Sequence, residues 1–234
     1  MTGPGTARER MAESAMRMLG LDGRRLLLAS ASPRRRRLLE GLGLAVETRP
    51  VRVDEAYPEY LSPVQAAVYL AEKKAAAARA AEDRGEFLIL AADTVVVIDG
   101  GVLGKPSGPG EAAEMLRKLS GRDHDVITGV AVLCPNRNLV HAGSAATRVR
   151  FSALSAADVE ALVVSGDWRG KAGAYGIQSL ASLVVERLEG DYFNVVGLPL
   201  ALTRKLILRT VRGDAETPPV FPVRLRRELR GETT

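Results

Sequence analysis

The sequence predicts a mixed α/β fold, a sheet with both parallel and antiparallel neighbours flanked by helices. Three patterns lead there. Short apolar runs of strand length alternate with segments of helical period. Two helix starts carry serine followed by proline, the residues suited to an N-cap and a first helical position. Two strand pairs are joined by tight polar turns, which suit antiparallel neighbours. Helix-linked and hairpin-linked strands in one chain make a mixed sheet rather than a purely doubly wound one.

Residues 1–21 read as an N-terminal extension with a short amphipathic helix through Met11, Met16 and Leu19. The first core strand is Leu26-Leu27-Leu28-Ala29; Ser32 then caps a helix opened by Pro33, with Leu38, Leu39 and Leu42 inward and Gly41 and Gly43 at its end. Residues 44–51 are strand-like, and Ser62-Pro63 opens a long alanine-rich helix through Glu82. Phe87-Leu88-Ile89-Leu90-Ala91-Ala92 is a buried strand continued by residues 94–98, and Asp99-Gly100-Gly101 turns it back into Val102-Leu103. A helix over 111–119 ends at Gly121. Two longer strands, 125–134 and 139–151, meet at Pro135-Asn136-Arg137-Asn138 and are expected to be antiparallel. Ser155 caps a helix to about Val164, residues 183–188 form a strand, and Pro199 opens a helix to about Val211. The organisation is therefore an extension (1–21), one domain (22–212) and a flexible basic tail (213–234) carrying Pro218, Pro219 and Pro222.

With 234 residues, 46% hydrophobic and 26% charged, the chain can bury one sizeable core. No apolar run approaches the roughly 18 residues of a membrane span, and the N-terminus lacks the apolar core of a secretory signal. A single cysteine, Cys134, rules out an internal disulfide and a thiolate zinc cluster, which fits a reducing cytoplasm; Cys134 itself reads as an inert buried strand residue. The net charge of +5 invites a nucleic-acid reading, but aromatics are only 4% and no stacking motif is present.

The run Arg34-Arg35-Arg36-Arg37 falls on the first turns of its helix, where free N–H groups and the macrodipole disfavour cations unless an anion is present. Such a start is a phosphate cradle; the alternative is a solvated basic face. His124 and His141 have no metal-ligand spacing, no Gly-x-Ser-x-Gly elbow occurs, and Gly100 to Ser107 fails the P-loop pattern because Pro106 stands where Ser or Thr is needed. What remains is a set of charges in loops and at strand ends. Asp93 emerges at the edge of an apolar strand, where ligands bind in open α/β sheets. Asp54 and Glu55 could share a divalent cation with it, or be solvated loop residues. Lys105 sits on a short Gly-Pro loop. Lys171 and Gln178 lie in the glycine-dense segment 170–178, while Tyr175 and Trp168 read as packing residues.

At these residues the chain resembles the Maf family of nucleoside triphosphate pyrophosphatases over about Arg24 to Arg212. The resemblance is carried by Ala29-Ser30-Ala31-Ser32-Pro33-Arg34-Arg35, Ala92-Asp93-Thr94-Val95-Val96, Leu103-Gly104-Lys105-Pro106, Leu119-Ser120-Gly121-Arg122-Asp123-His124, Lys171-Ala172-Gly173-Ala174-Tyr175-Gly176-Ile177-Gln178 and Asn194-Val195-Val196-Gly197-Leu198-Pro199-Leu200. It implies an elongated mixed α/β fold, similar to that of inosine triphosphatases, with a cleft between two lobes, commonly as a homodimer. It also implies cleavage of the α,β-phosphoanhydride with a divalent metal, magnesium or manganese. By the same resemblance Asp93 is the general base. Arg34, Thr94 and Gln178 set specificity; Ser32, Arg35, Lys74, Lys105 and Lys171 line the substrate; and Glu55 joins Asp93 on the metal. The motifs Ser-Pro-Arg-Arg, Ala-Asp-Thr and Tyr-Gly-Ile-Gln are similar to those of the members acting on dTTP and UTP, with CTP and modified pyrimidine nucleotides as further candidates, and differ from the 7-methyl-GTP branch. Ser179 departs from the usual glycine, Trp168-Arg169-Gly170 from a proline-containing turn, and Arg36-Arg37 extends the arginine pair. The rival readings are a nucleotide-sensing regulator of septum formation, in which hydrolysis is incidental and the basic tail recruits a partner, and a 7-methyl-GTP pyrophosphatase.

Overall fold

The computed structural model describes residues 6–21, 23–80, 87–218 and 220–231. In chain order it comprises α1 (Ala7–Leu19), β1 (Arg25–Leu28), α2 (Pro33–Glu40), β2 (Glu47–Thr48), α3 (Pro63–Ala80), β3 (Phe87–Ile98), β4 (Gly101–Leu103) and α4 (Pro109–Leu119). There follow β5 (Asp123–Cys134), β6 (Leu139–Phe151), α5 (Ala156–Val164), β7 (Val185–Glu189), α6 (Tyr192–Val196), α7 (Leu200–Arg212) and α8 (Val223–Arg230). Seven strands form one sheet in the order β2-β1-β3-β5-β6-β7, with β4 pairing β3 outside that path. β1 runs parallel to β2 and β3, whereas β3–β4 and β6–β7 are antiparallel. The sheet is mixed, as the two kinds of connection predict. Among the described residues no helix is long and apolar enough to cross a membrane.

Contacts divide the chain into two compact units, one of residues 1–93, 129–144 and 200–234, the other of 94–128 and 145–199, where the sequence predicts a single domain over 22–212. In the first unit α3 turns a face of small residues inward, with Ala67, Ala71, Ala75 and Ala78 fully buried. Small side chains let the helix approach closely, and Gly129 on β5 completes the fit: a Cβ there would lie 2.2 Å from the Ala67 carbonyl oxygen. Leu27, Ala29, Phe87, Ile89 and Ala91 meet this helix in one apolar core. The N-terminal helix α1 packs on α7 and buries Leu19. It passes Gly43 so tightly that a Cβ would meet the Ala12 nitrogen at 2.9 Å.

The basic segment after α7 differs from the flexible tail that its composition predicts. Phe221 is buried in the same core and stacks edge-on against Tyr69 at 5.4 Å. α8 lies on α3, where the Arg226 guanidinium grips both oxygens of Glu72, its Nε donating at 2.8 Å; the two side chains are 5% and 4% exposed. An aromatic anchor and a neutralised ion pair hold a segment that charge alone would leave in water. Pro219 and residues 232–234 lie outside the described residues, as do residues 1–5 of the extension.

Other differences are local. The strand expected over 44–51 narrows to Glu47–Thr48. α3 is described to Ala80, and the expected continuation to Glu82 lies outside the described residues. α6 was not expected, since five residues are too few for periodicity; Asp191 caps it by accepting from the Phe193 N–H at 2.8 Å. Cys134 ends β5 half-buried rather than buried.

In the second unit α4 packs against α5, burying Met115, Leu116, Leu119, Val159 and Leu162. Ser155 and Asp158 form a reciprocal capping box on α5. His124, Phe151 and Tyr175 meet edge to face with ring centroids 4.8 to 5.5 Å apart.

Candidate functional site

The first unit assembles its polar residues around the start of α2, the middle of β3 and the second half of α3. Ser32 caps α2, its hydroxyl accepting from the Arg35 N–H at 3.5 Å, and Pro33 takes the first helical position as predicted. No acidic residue sits in that first turn, so nothing within the turn itself offsets the clash of cations with the positive end of the helix dipole. The run divides along the helix. Arg36 pairs with Glu40 at 2.6 Å on a solvated face and Arg37 is exposed, whereas Arg35 is buried. Its Nη1 donates to the Ser30 hydroxyl at 3.0 Å, and the same oxygen accepts from the Ser32 N–H at 3.2 Å. Ser30 thus ties the strand end to the helix start. Burial lowers the Arg35 pKa to about 10; the Asp93 charge resists the shift, Arg34 adds to it and Glu55 again resists it. Arg35 therefore stays a cation at neutral pH.

Lys74, buried on α3, reaches two carboxylates at once. Its Nζ donates to Glu55 Oε1 at 2.9 Å and, more closely still, to Asp93 Oδ1. β3 runs unbroken from Phe87 to Ile98, as the expected continuation over 94–98 requires, so Asp93 sits within the strand rather than at its edge, 6% exposed. The strand continues because β4 pairs with its second half. Asp54 does not join the cluster; its Oδ1 accepts from the Ala56 N–H at 3.0 Å, the local bond of a turn former.

The remaining residues belong to the second unit. Thr94 is half-buried, its hydroxyl 2.9 Å from that of Thr128. The Lys105 loop is tied to the glycine-dense loop by a bond from the Gly173 N–H to the Gly104 carbonyl at 3.0 Å. Gly173 has φ +66°, and a Cβ there would press on the Val96 side chain at 3.0 Å, so only glycine suits it. Asp167 pairs with the Lys171 ammonium through one oxygen and with the Ser179 hydroxyl through the other. Ser179 is where the sequence departs from glycine, and its hydroxyl also lies 2.8 Å from the Gly176 carbonyl. Gln178 is exposed. Tyr175 and Trp168 pack inside, as predicted, and the Tyr175 hydroxyl meets His124 Nε2 at 2.8 Å. Burial holds the His124 imidazole at about 4 and raises the Tyr175 phenol well above its ordinary range.

Ser32, Arg34, Arg35, Glu55, Lys74 and Asp93 thus lie in one unit, and Thr94, Lys105, Lys171 and Gln178 in the other, with the boundary at the peptide bond between Asp93 and Thr94. Sequence reasoning passed over Ser30, Thr128 and Asp167. Only Ser30 left a signal, the alternation Ala29-Ser30-Ala31-Ser32, which points successive side chains to opposite faces. Among the described residues no three His, Cys, Asp or Glu side chains converge as a metal site. Glu55 and Asp93 nevertheless aim hard oxygen donors at one cation, the Lys74 ammonium, and such a pair suits magnesium or manganese, which keep waters and take other ligands from phosphates.

An open mixed sheet with paired carboxylates, a bridging lysine and a buried arginine behind a helix start is the framework of an α/β enzyme handling an anionic ligand. The particular family follows from sequence: a family model described as Maf-like protein matches residues 25–210, and the chain belongs to that family. It is 49% identical over 183 residues to a dTTP/UTP pyrophosphatase of Moorella thermoacetica, covering 78% of this chain and 93% of that one. Proteins of the same name from Geobacillus sp. and Pelotomaculum thermopropionicum are 45% and 48% identical, over 80% and 75% of this chain and 98% and 91% of theirs. A solved nucleoside-triphosphatase / dITP/XTP pyrophosphatase of Mycobacterium abscessus aligns with 56% of this chain and 76% of its own, at 19% identity and a TM-score of 0.36, a likeness on which nothing here rests.

Proposed function

We propose that this protein hydrolyses dTTP and UTP to the nucleoside monophosphate and pyrophosphate, as the names of its relatives read. The observation that carries the reading is Lys74 bridging Glu55 and Asp93 beside the buried Arg35. Asp93 Oδ1 is oriented by Lys74, and Oδ2 accepts the proton of the water that attacks the α-phosphorus. The α2 start, with Arg34 and Arg35, binds phosphate oxygens through free N–H groups and charge; Lys105 and Lys171 are the second unit's phosphate cations. Glu55 and Asp93 would hold a divalent metal, which when bound neutralises charge on the phosphoryl oxygens and the leaving pyrophosphate. Such positioning and electrostatic stabilisation carry most of phosphoryl transfer. Thr94 and Gln178 read the base, and Gln178 offers a donor and an acceptor to the pyrimidine edge.

A panel of nucleoside triphosphates, with magnesium and with manganese, tests the reading by the products released. Pyrophosphate with dTMP or UMP is expected, and Asp93→Asn is expected to stop release while nucleotide still binds. Orthophosphate as the first product, or full turnover by Asp93→Asn, contradicts it.

A further inference from the structure

The loop that carries Lys171 and Gln178 is held in a form that its residues do not favour. Gly173 and Ala174 are both left-handed, with φ +66° and +65°. Glycine takes that conformation freely, whereas an alanine there brings its Cβ against the following carbonyl and persists only where its surroundings hold it. Ala174 is buried, so the turn is set inside the second unit rather than in water.

The holding contacts lie on both sides of the turn. Before it, the Gly173 N–H donates to the Gly104 carbonyl at 3.0 Å, and the Ala174 N–H donates to the Lys171 carbonyl at 3.2 Å. After it, Tyr175 enters the core: its ring meets His124 and Phe151 edge to face, and its hydroxyl lies 2.8 Å from His124 Nε2. His124 stands on β5, so this bond ties the loop to the sheet. The turn also folds the loop back on itself. The Lys171 side chain lies across Gly176, where a Cβ would meet its Cε and Nζ at 2.9 Å, and the Ser179 N–H donates to the Gly176 carbonyl at 3.1 Å. Lys171 precedes the left-handed pair and Gln178 follows it, so one turn sets the place of both.

We propose that His124 and Tyr175 are positioning residues for nucleotide binding: the bond between them pins the 171–178 loop in its left-handed turn and so fixes Lys171 and Gln178 for the nucleotide. The proposal rests on the dTTP/UTP reading above, in which those two residues bind substrate. Both members of the pin are buried and act through the loop. A loop that holds its binding form only part of the time weakens affinity by that fraction and leaves the bound complex unchanged. Loss of the pin therefore raises KM rather than lowering kcat.

The test is steady-state kinetics with dTTP and UTP for the wild type, Tyr175→Phe, and Tyr175→Phe combined with Ala174→Gly. Tyr175→Phe keeps the ring stack and removes only the hydroxyl; KM is expected to rise by about tenfold, with kcat within about twofold of wild type. Glycine at 174 takes the left-handed turn without the pin, so the double variant should return KM to within about threefold of wild type. A bond that served stability alone would lower the melting temperature and the amount of active enzyme and leave KM where it was. Should Tyr175→Phe not fold, His124→Leu removes the bond from the other side and carries the same expectations, alone and with Ala174→Gly. An unchanged KM in the folded single variant overturns the proposal, as does a raised KM that Ala174→Gly fails to lower. A wild type that hydrolyses neither nucleotide overturns the functional reading itself, and with it the part given to this loop.

Discussion

The Lys74 ammonium is the residue on which the site turns, because it contacts both carboxylates at once. Lys74→Met keeps the stem and removes the charge, taking from the buried Asp93 carboxylate the ammonium bound to its Oδ1. Turnover is expected to fall by on the order of 100-fold or more, measured as pyrophosphate release at saturating dTTP. Activity within a few-fold of wild type would remove Lys74 from the machinery. A second residue sets a pH limit. His124 is 2% exposed and titrates at about 4 in the fold, mainly through burial, against an ordinary 6.5. The unfolded chain takes its proton first, so the stability from neutral His124 is complete above pH 6.5 and is lost as pH falls from 6.5 through 4. The loss is on the order of 3 kcal/mol. His141, also depressed by burial, acts in the same direction. Urea midpoints at pH 7.5, 6, 5 and 4 should decline steadily below pH 6.5; a midpoint flat to pH 4 would refute this. The arginine pair was legible because Ser32-Pro33 fixes the helix start from local sequence. Thr128 was not, because its partners Thr94 and Asn194 lie 34 and 66 residues away in sequence.

At the scale of elements, the close approach of α3 to β5 holds Lys74 where it acts. Gly129 permits it, since a Cβ would lie 2.2 Å from the Ala67 carbonyl oxygen and a backbone atom cannot step aside. Gly129→Ala is expected to push α3 outward at a cost of about 1 to 3 kcal/mol or more, and to lower activity along with the melting temperature. An unchanged melting temperature would mean that α3 is not seated on β5 in this way. On α5, Ser155→Ala removes the hydroxyl that accepts from the Asp158 N–H, leaves the bond from the Ser155 N–H to the Asp158 carboxylate, and should cost about 1 kcal/mol in denaturant unfolding, with turnover unaffected. Strand and helix order was readable from apolar period and cap residues, and β6, at Leu139–Phe151, falls where the pattern puts it. The continuation of β3 over 94–98 was readable from its apolar residues, whereas the burial of Asp93 within it was not, because that depends on what covers the strand there, Lys74 of α3.

For the whole molecule, the family model ends at residue 210, yet the segment beyond it completes the first unit. Composition made that segment a tail; the partner that anchors it, Glu72 on α3, lies 154 residues away in sequence and could not be read from local charge. Arg226→Ala would take from the buried Glu72 carboxylate the guanidinium that grips both its oxygens, a loss of about 3 to 5 kcal/mol in unfolding free energy. Replacing both charges together, as Glu72→Leu with Arg226→Leu, should recover most of it, and failure to recover would mean that the pair is not what holds α8 on α3. The point of water attack decides the mechanism, and hydrolysis of dTTP in ¹⁸O-labelled water measures it directly. Attack at the α-phosphorus with Asp93 as base predicts one labelled oxygen in the dTMP and none in the pyrophosphate. Label in the pyrophosphate would contradict it.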